Sequence, residues 1–214
     1  MMTMGPVALC VVAVAGLLLA ERRRSRMGIG IAKPVASAAF LWAALQWGAL
    51  ETQYGTLVLA GLALCMLGDV LLIPTDQPRV FRAGVFAFLL GHVAYASAFL
   101  TRPLSPLGLL AGGVLLVLVL GMVLRWLGRS LPPDMVLPVR AYMIVIGLMA
   151  TLACGVTAAG GPWQAAVGAL AFTASDVSVA RDRFVRQAFV NRAWGLPLYY
   201  VSQLLIAATP ALVH

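Results

Sequence analysis

The chain has 214 residues, of which 62% are apolar and only 10% charged, with a formal net charge of +8. A soluble domain carries about 25% charged residues, so this composition excludes a soluble enzyme. It leaves a single integral membrane domain over residues 1–214, with almost no mass outside the bilayer. The basic excess would suggest nucleic acid in a soluble chain. Here the arginines lie in short loops, topology accounts for them, and no nucleic-acid partner is expected.

Apolar runs long enough to cross a bilayer fall at residues 2–20, 28–50, 55–73, 80–101, 106–127, 138–158, 162–181 and 192–211. Each is close to the ~20 residues a helix needs to span the hydrocarbon. The charges of the first run (ERRRSR) follow it, which fits a first transmembrane helix better than a cleaved signal peptide. The breaks ETQY, PTDQPR, TRPLSP, LGRSLPPD, AAGGP and RDRFVRQ carry turn residues or charge. The expected fold class is all-α, a polytopic bundle of eight transmembrane helices. Thirteen arginines, from Arg22 to Arg192, lie at the ends joined by the loops after helices 1, 3, 5 and 7, and only Arg102 lies at the other side. The positive-inside rule makes the thirteen-arginine side cytosolic, so both termini are expected on the non-cytosolic side. Cys10, Cys65 and Cys154 have no paired spacing and read as small core residues.

Internal similarity suggests two related four-helix halves, residues 1–104 and 105–214. Gly61–Val70 (GLALCMLGDV) resembles Gly168–Val177 (GALAFTASDV). Lys33 precedes Asp69 by 36 residues, as Arg140 precedes Asp176, and His92 follows Asp69 by 23, as Tyr199 follows Asp176. Each half has both ends on one side, so the repeat is parallel, with its axis along the membrane normal.

Asp69 and Asp176 carry the strongest functional signal. A charge at bilayer depth is unfavourable by about 2.5–3.5 kcal/mol on insertion scales, and such groups mark functional sites. A rise of 1.5 Å per residue places Lys33, Asp69, Asp176, Arg140 and Tyr142 within the cytosolic half. Tyr199, Tyr200, Gln203, His92 and Tyr95 lie somewhat deeper. A polar cavity open to the cytosolic side follows. Each residue also has a plain structural reading. Lys33 and Arg140 can snorkel and pair with a carboxylate. The tyrosines can be interfacial, His92 can be a packed core histidine, and Gln203 can join helices. Metal chemistry has weak support: Asp69, Asp176 and His92 make a conceivable ligand set, but a catalytic zinc site is usually richer in histidine. No cofactor is expected.

On these residues the chain resembles the YhhN-like membrane proteins, the lysoplasmalogenase family, from about Lys33 to Ile206. The resemblance rests on Lys33-Pro34, on Gly68-Asp69-Val70, and on His92 with Tyr95 and Phe99. It continues through Ser175-Asp176 with Phe184, and Tyr200 with Gln203-Leu204-Leu205-Ile206. It implies a lysophospholipid substrate whose vinyl ether bond is hydrolysed to a fatty aldehyde and glycerophosphoethanolamine or glycerophosphocholine. It assigns function first to Asp69 and Asp176, then to Lys33, His92, Tyr200 and Gln203. Two unequal carboxylates suit a reaction that needs a proton donor and an anion facing a developing cation. The sequence leaves their roles open, with Lys33 on the helix before Asp69 leaning toward Asp176 as the acid. The competing class is a proton-coupled carrier of a small molecule or lipid. A carrier needs polar residues reaching both faces, whereas the outer halves here bear only Glu51 and Arg102. The expected setting is the plasma membrane of a bacterium, with membrane lipids as surroundings.

Overall fold

The computed structural model describes residues 3–73 and 77–213; part of the PTDQPR break lies outside them. The described residues form eight helices: α1 (Gly5–Arg22), α2 (Arg26–Gln46), α3 (Gln53–Leu71), α4 (Pro78–Leu100), α5 (Pro106–Leu127), α6 (Pro133–Ala158), α7 (Trp163–Phe184) and α8 (Phe189–Ala208). A short 3-10 turn, Thr209–Leu212, follows. Their starts are written locally. Ser25, Thr52 and Ser105 accept from the backbone N–H three residues on, satisfying a donor that the first turn leaves free. Prolines open α1, α4, α5 and α6, where the missing N–H is harmless.

Seven of these helices are long and apolar enough to cross a membrane. The exception is α7, which carries Asp176, Arg181, Asp182 and Arg183. The sequence places a helix start near residue 138, but α6 begins at Pro133 and continues through Pro138. Pro133 opens the helix, where the missing N–H is harmless, and Pro138, one turn further in, gives up one backbone hydrogen bond. α8 likewise begins at Phe189, because Asp182 supplies the acceptor for the Ala188 N–H ahead of its first turn.

Helix pairing repeats between the halves. α1 packs on α2 as α5 packs on α6, and α3 packs on α4 as α7 packs on α8. Between halves, α2 lies against α8 while α6 lies against α4. Gly48 (φ 83°) ends α2 and Gly160 (φ 91°) ends α6. In both turns the next N–H reaches back five residues, from Ala49 to the Ala44 carbonyl and from Gly161 to that of Val156. The left-handed residue such a Schellman end requires is most easily glycine. Close approach also recurs: a Cβ on Gly61 would sit 2.4 Å from the Tyr95 ring, and one on Gly168 2.9 Å from Ile206. These are the α3–α4 and α7–α8 contacts, and a small residue lets the backbones meet there.

Candidate active site

Two polar clusters sit on one cavity of about 1300 Å3. The first centres on Asp69, which is 2% exposed. Its Oδ2 accepts from Ser37 Oγ at 2.6 Å and from the Tyr199 hydroxyl at 2.7 Å, and its Oδ1 lies 3.4 Å from Lys33 Nζ. Lys33 and Ser37 share a face of α2 because they are four residues apart. Tyr200 stands behind them, its hydroxyl 3.3 Å from the Lys33 carbonyl and 3.4 Å from Ser37 Oγ. An ionised carboxylate is acceptor-only, so the charged form of Asp69 uses every one of these contacts. The ammonium and two hydroxyls are the partners a buried carboxylate needs.

The second cluster centres on Asp176, whose side chain is 16% exposed. The Tyr142 hydroxyl donates to its Oδ2 at 3.3 Å. His92 Nε2 lies at the same distance from that oxygen, off the line of a well-formed hydrogen bond. On the other side of the ring, Nδ1 is 2.7 Å from the Phe88 carbonyl. A carbonyl only accepts, so Nδ1 carries a hydrogen. Nε2 then faces a carboxylate oxygen, and that contact is favourable only if one further proton resides on Nε2 or on the Asp176 carboxyl. Phe172 stacks on the imidazole at 4.2 Å and fixes its plane.

The clusters share an aromatic floor. Phe172 meets Tyr199 at 5.5 Å between ring centroids, and Phe88 meets Tyr199 at 5.8 Å. Partners are exchanged between halves: His92, from the first, faces the aspartate of the second, and Tyr199, from the second, binds the aspartate of the first. Lys33, Asp69, Tyr142, Asp176 and Tyr199 line the cavity. Tyr95, Tyr200 and Gln203 are buried outside its lining. The Tyr95 hydroxyl donates to Gln203 Oε1 at 2.6 Å, joining α4 to α8, and Gln203 Nε2 has no hydrogen-bond partner.

Arg140 does not join the site. It is exposed on α6, outside the cavity lining. The repeat makes it the counterpart of Lys33, but Tyr142 and His92 occupy the place beside Asp176. The conceivable metal set does not assemble as one centre either. Asp69 is engaged by Lys33, Ser37 and Tyr199, whereas His92 faces Asp176, and no group of three or more His, Cys, Asp or Glu side chains gathers among the described residues.

Ser37, Phe88 and Phe172 carry no sequence signal beyond ordinary helix composition. The charged residues at the mouth carry one, an acid inside a basic loop. There Arg192 bridges Glu21 of α1 and Asp182 of α7, the latter at 3.3 Å. Asp182 Oδ1 accepts from the Ala188 N–H and from Asn191 Nδ2. Arg183 lies over the Phe81 ring at 4.3 Å. Arg22, Arg24, Arg26 and Arg186 complete a basic rim. The cavity thus runs from a cationic mouth, past one aspartate held by an ammonium and two hydroxyls and another beside an imidazole, to an apolar wall. It can hold an anionic group outside, deliver a proton inside and face a cation with a carboxylate.

Comparison with known proteins finds the YhhN family model matching residues 28–210. Bovine (Bos taurus) lysoplasmalogenase TMEM86A is 35% identical over 158 residues, 71% of this chain and 64% of that protein. Human (Homo sapiens) lysoplasmalogenase TMEM86B is 38% identical over 169 residues, 79% of this chain and 68% of that protein. Human lysoplasmalogenase TMEM86A is 33% identical over 158 residues, 71% of this chain and again 64% of the relative. The chain thus spans about two thirds of the length of these curated relatives. No solved structure gives a significant match.

Proposed function

The chain belongs to the YhhN family, and from that membership and its paired aspartates we propose that it hydrolyses the vinyl ether bond of lysoplasmalogens inside the membrane. The observation that carries the reading is the inequality of the two carboxylates. Asp69 is held by two hydroxyls and an ammonium, whereas Asp176 meets the Tyr142 hydroxyl and the His92 imidazole.

In this reading the Asp176–His92 pair protonates the outer alkenyl carbon. The double-bond electrons form the new C–H bond, and the cation that results is shared between carbon and the ether oxygen. The Asp69 carboxylate faces that cation and, with Tyr199, orients a water for addition. The hemiacetal then loses its glycerol oxygen, giving a fatty aldehyde and glycerophosphoethanolamine or glycerophosphocholine. Vinyl ether plus water equals aldehyde plus alcohol, so no oxidant or cofactor enters the balance. General acid catalysis of this kind contributes about 10²–10⁴-fold. Lys33 is engaged with Asp69, which leaves the rim arginines to hold the phosphate, where guanidinium groups form charge-assisted hydrogen bonds.

The arginine-rich mouth supports a cytosolic opening and termini on the opposite side, in the plasma membrane of a bacterium. A membrane-impermeant thiol reagent should reach Arg23→Cys from the cytosolic face. Reaction only from the other face would reverse the orientation. A one-sided cavity favours an enzyme over a carrier: Glu51 and Arg102, at the other end, do not line it.

The test is incubation of the purified protein with a lysoplasmalogen and with its saturated 1-alkyl analogue. Aldehyde should appear from the first alone. No aldehyde from a folded preparation, or turnover of both lipids, would remove the assignment.

A further inference from the structure

The two halves pair their helices alike except at one place. α1 closes against α8 as well as α2. Its counterpart α5 packs on α6 and leans toward α7, and among the described residues it makes no contact on α4 as extensive as that of α1 on α8. The glycines of α5 tie it to α6, not to α4. Gly108 and Gly112 are in its first half, where an added Cβ would meet Ala158 at 2.5 Å and Cys154 at 2.8 Å of α6. Gly121, in its second half, has nothing within 4 Å of such a position. α5 is thus fixed to α6 along its length, by Gly108 and Gly112 in its first half and by Leu120 against Gly147 in its second, while the face bearing Gly121 meets nothing.

The cavity reaches into the space this leaves. α4 contributes Phe81, Val85 and Phe88, and α5 contributes Leu120, Val123 and Leu127. Each set is spaced three or four residues apart, one face of a helix. From Met135 to Ile146, α6 supplies a third stripe, about 16 Å long at 1.5 Å per residue. The opposite wall is polar: Lys33 of α2, Asp182 of α7, and Asn191 and Arg192 of α8. At about 1300 Å3 the space exceeds the roughly 300–1,000 Å3 usual for small-molecule pockets. One wall is apolar, the other polar and capped by guanidinium groups.

We propose that the gap between α4 and the second half of α5 is the lateral portal of the site, and that its occupant is the single hydrocarbon chain of a phosphate-bearing amphiphile. The phosphate rests at the rim of Arg22, Arg26, Arg183 and Arg186, and the chain lies along the α4–α5–α6 wall with its end toward the bilayer. The reactive end of the chain then passes Asp69 and Asp176. The α1–α8 contact shuts the equivalent gap in the other half. The proposal rests on the lysolipid reading for the identity of the head group, but not for the position of the chain.

The experiment uses the full-length protein in nanodiscs and a non-hydrolysable 1-alkyl lysophosphatidylcholine with a diazirine on its chain. After irradiation, the labelled peptides that excess unlabelled probe suppresses are mapped by mass spectrometry. They should fall on residues 81–88, 120–127 and 135–146. Val123→Trp should lower that suppressible labelling about ten-fold, and Val117→Trp, on the exposed face of the same helix, should leave it unchanged. Suppressible labelling on α1 and α8, or a map confined to outward-facing residues, would overturn the portal whatever the variants do. Aldehyde release with labels elsewhere would sink the portal and keep the hydrolase. Labels on this wall without aldehyde release would do the reverse.

Discussion

His92 shows how much one hydrogen bond decides. Because its Nδ1 serves the Phe88 carbonyl, Nε2 is the nitrogen left to face Asp176, and the proposed acid is the pair these two side chains make. Asp69→Asn and Asp176→Asn should each lower aldehyde release by about 10²-fold or more in protein that still folds; full activity in either would remove that residue from the mechanism. Lys33→Ala should be severely impaired, since it strips the charged partner from a buried carboxylate. Arg140→Ala should stay within about two-fold of the parent, as exposed substitutions usually do. Equal losses in both would restore the symmetric pairing that the repeat suggests. The charged members of the site were legible because charge stands out in apolar helices. Rotation about the helix axis was not. Arg140 and Tyr142 are two residues apart, about 200° around α6, so only one can face the cavity. Tyr199 and Tyr200 differ by about 100°, and the family resemblance pointed to Tyr200, whereas Tyr199 is the one that touches Asp69. Ser37, one turn after Lys33, is an ordinary helix serine until α3 is set beside it.

At the level of elements, the helices were readable from runs of apolar residues, and their crossings were readable only where glycine marks them. α6 and α8 begin earlier than their apolar runs because Pro133 and Asp182 organise the preceding turns. α7 is the least apolar helix, yet it sits in the bundle because Gly168 and Gly195 let α8 lie close over it. The α3–α4 contact sets the distance from Asp69 to His92's helix, so Gly61 is a structural requirement. Gly61→Val would force a side chain into the Tyr95 ring, and overpacking of this sort costs about 1–3 kcal/mol. The purified variant should lose thermal stability in detergent. Gly16→Ala, with open space around it, should not. Equal melting of the two would mean that the helices can part without penalty.

For the whole molecule, the halves supply parts to each other. Neither aspartate is served by its own half alone, so the site exists only when α2 meets α8 and α4 meets α6. The helix pairs match between residues 1–104 and 105–214, and the α1–α8 contact is the exception. The sequence carried the similarity of the halves through matched offsets. The exchange of partners, and the gap, depend on how the halves face each other, which local pattern does not encode. The central claim is that a proton from the Asp176–His92 pair is placed on an alkenyl carbon and that water completes the reaction. Mass spectrometry of the aldehyde released from lysoplasmalogen in D2O, read at short times before the product exchanges, tests it most directly. The account predicts one deuterium on the carbon next to the aldehyde group in every product molecule, with no such product from Asp176→Asn. Aldehyde released without that deuterium would contradict it.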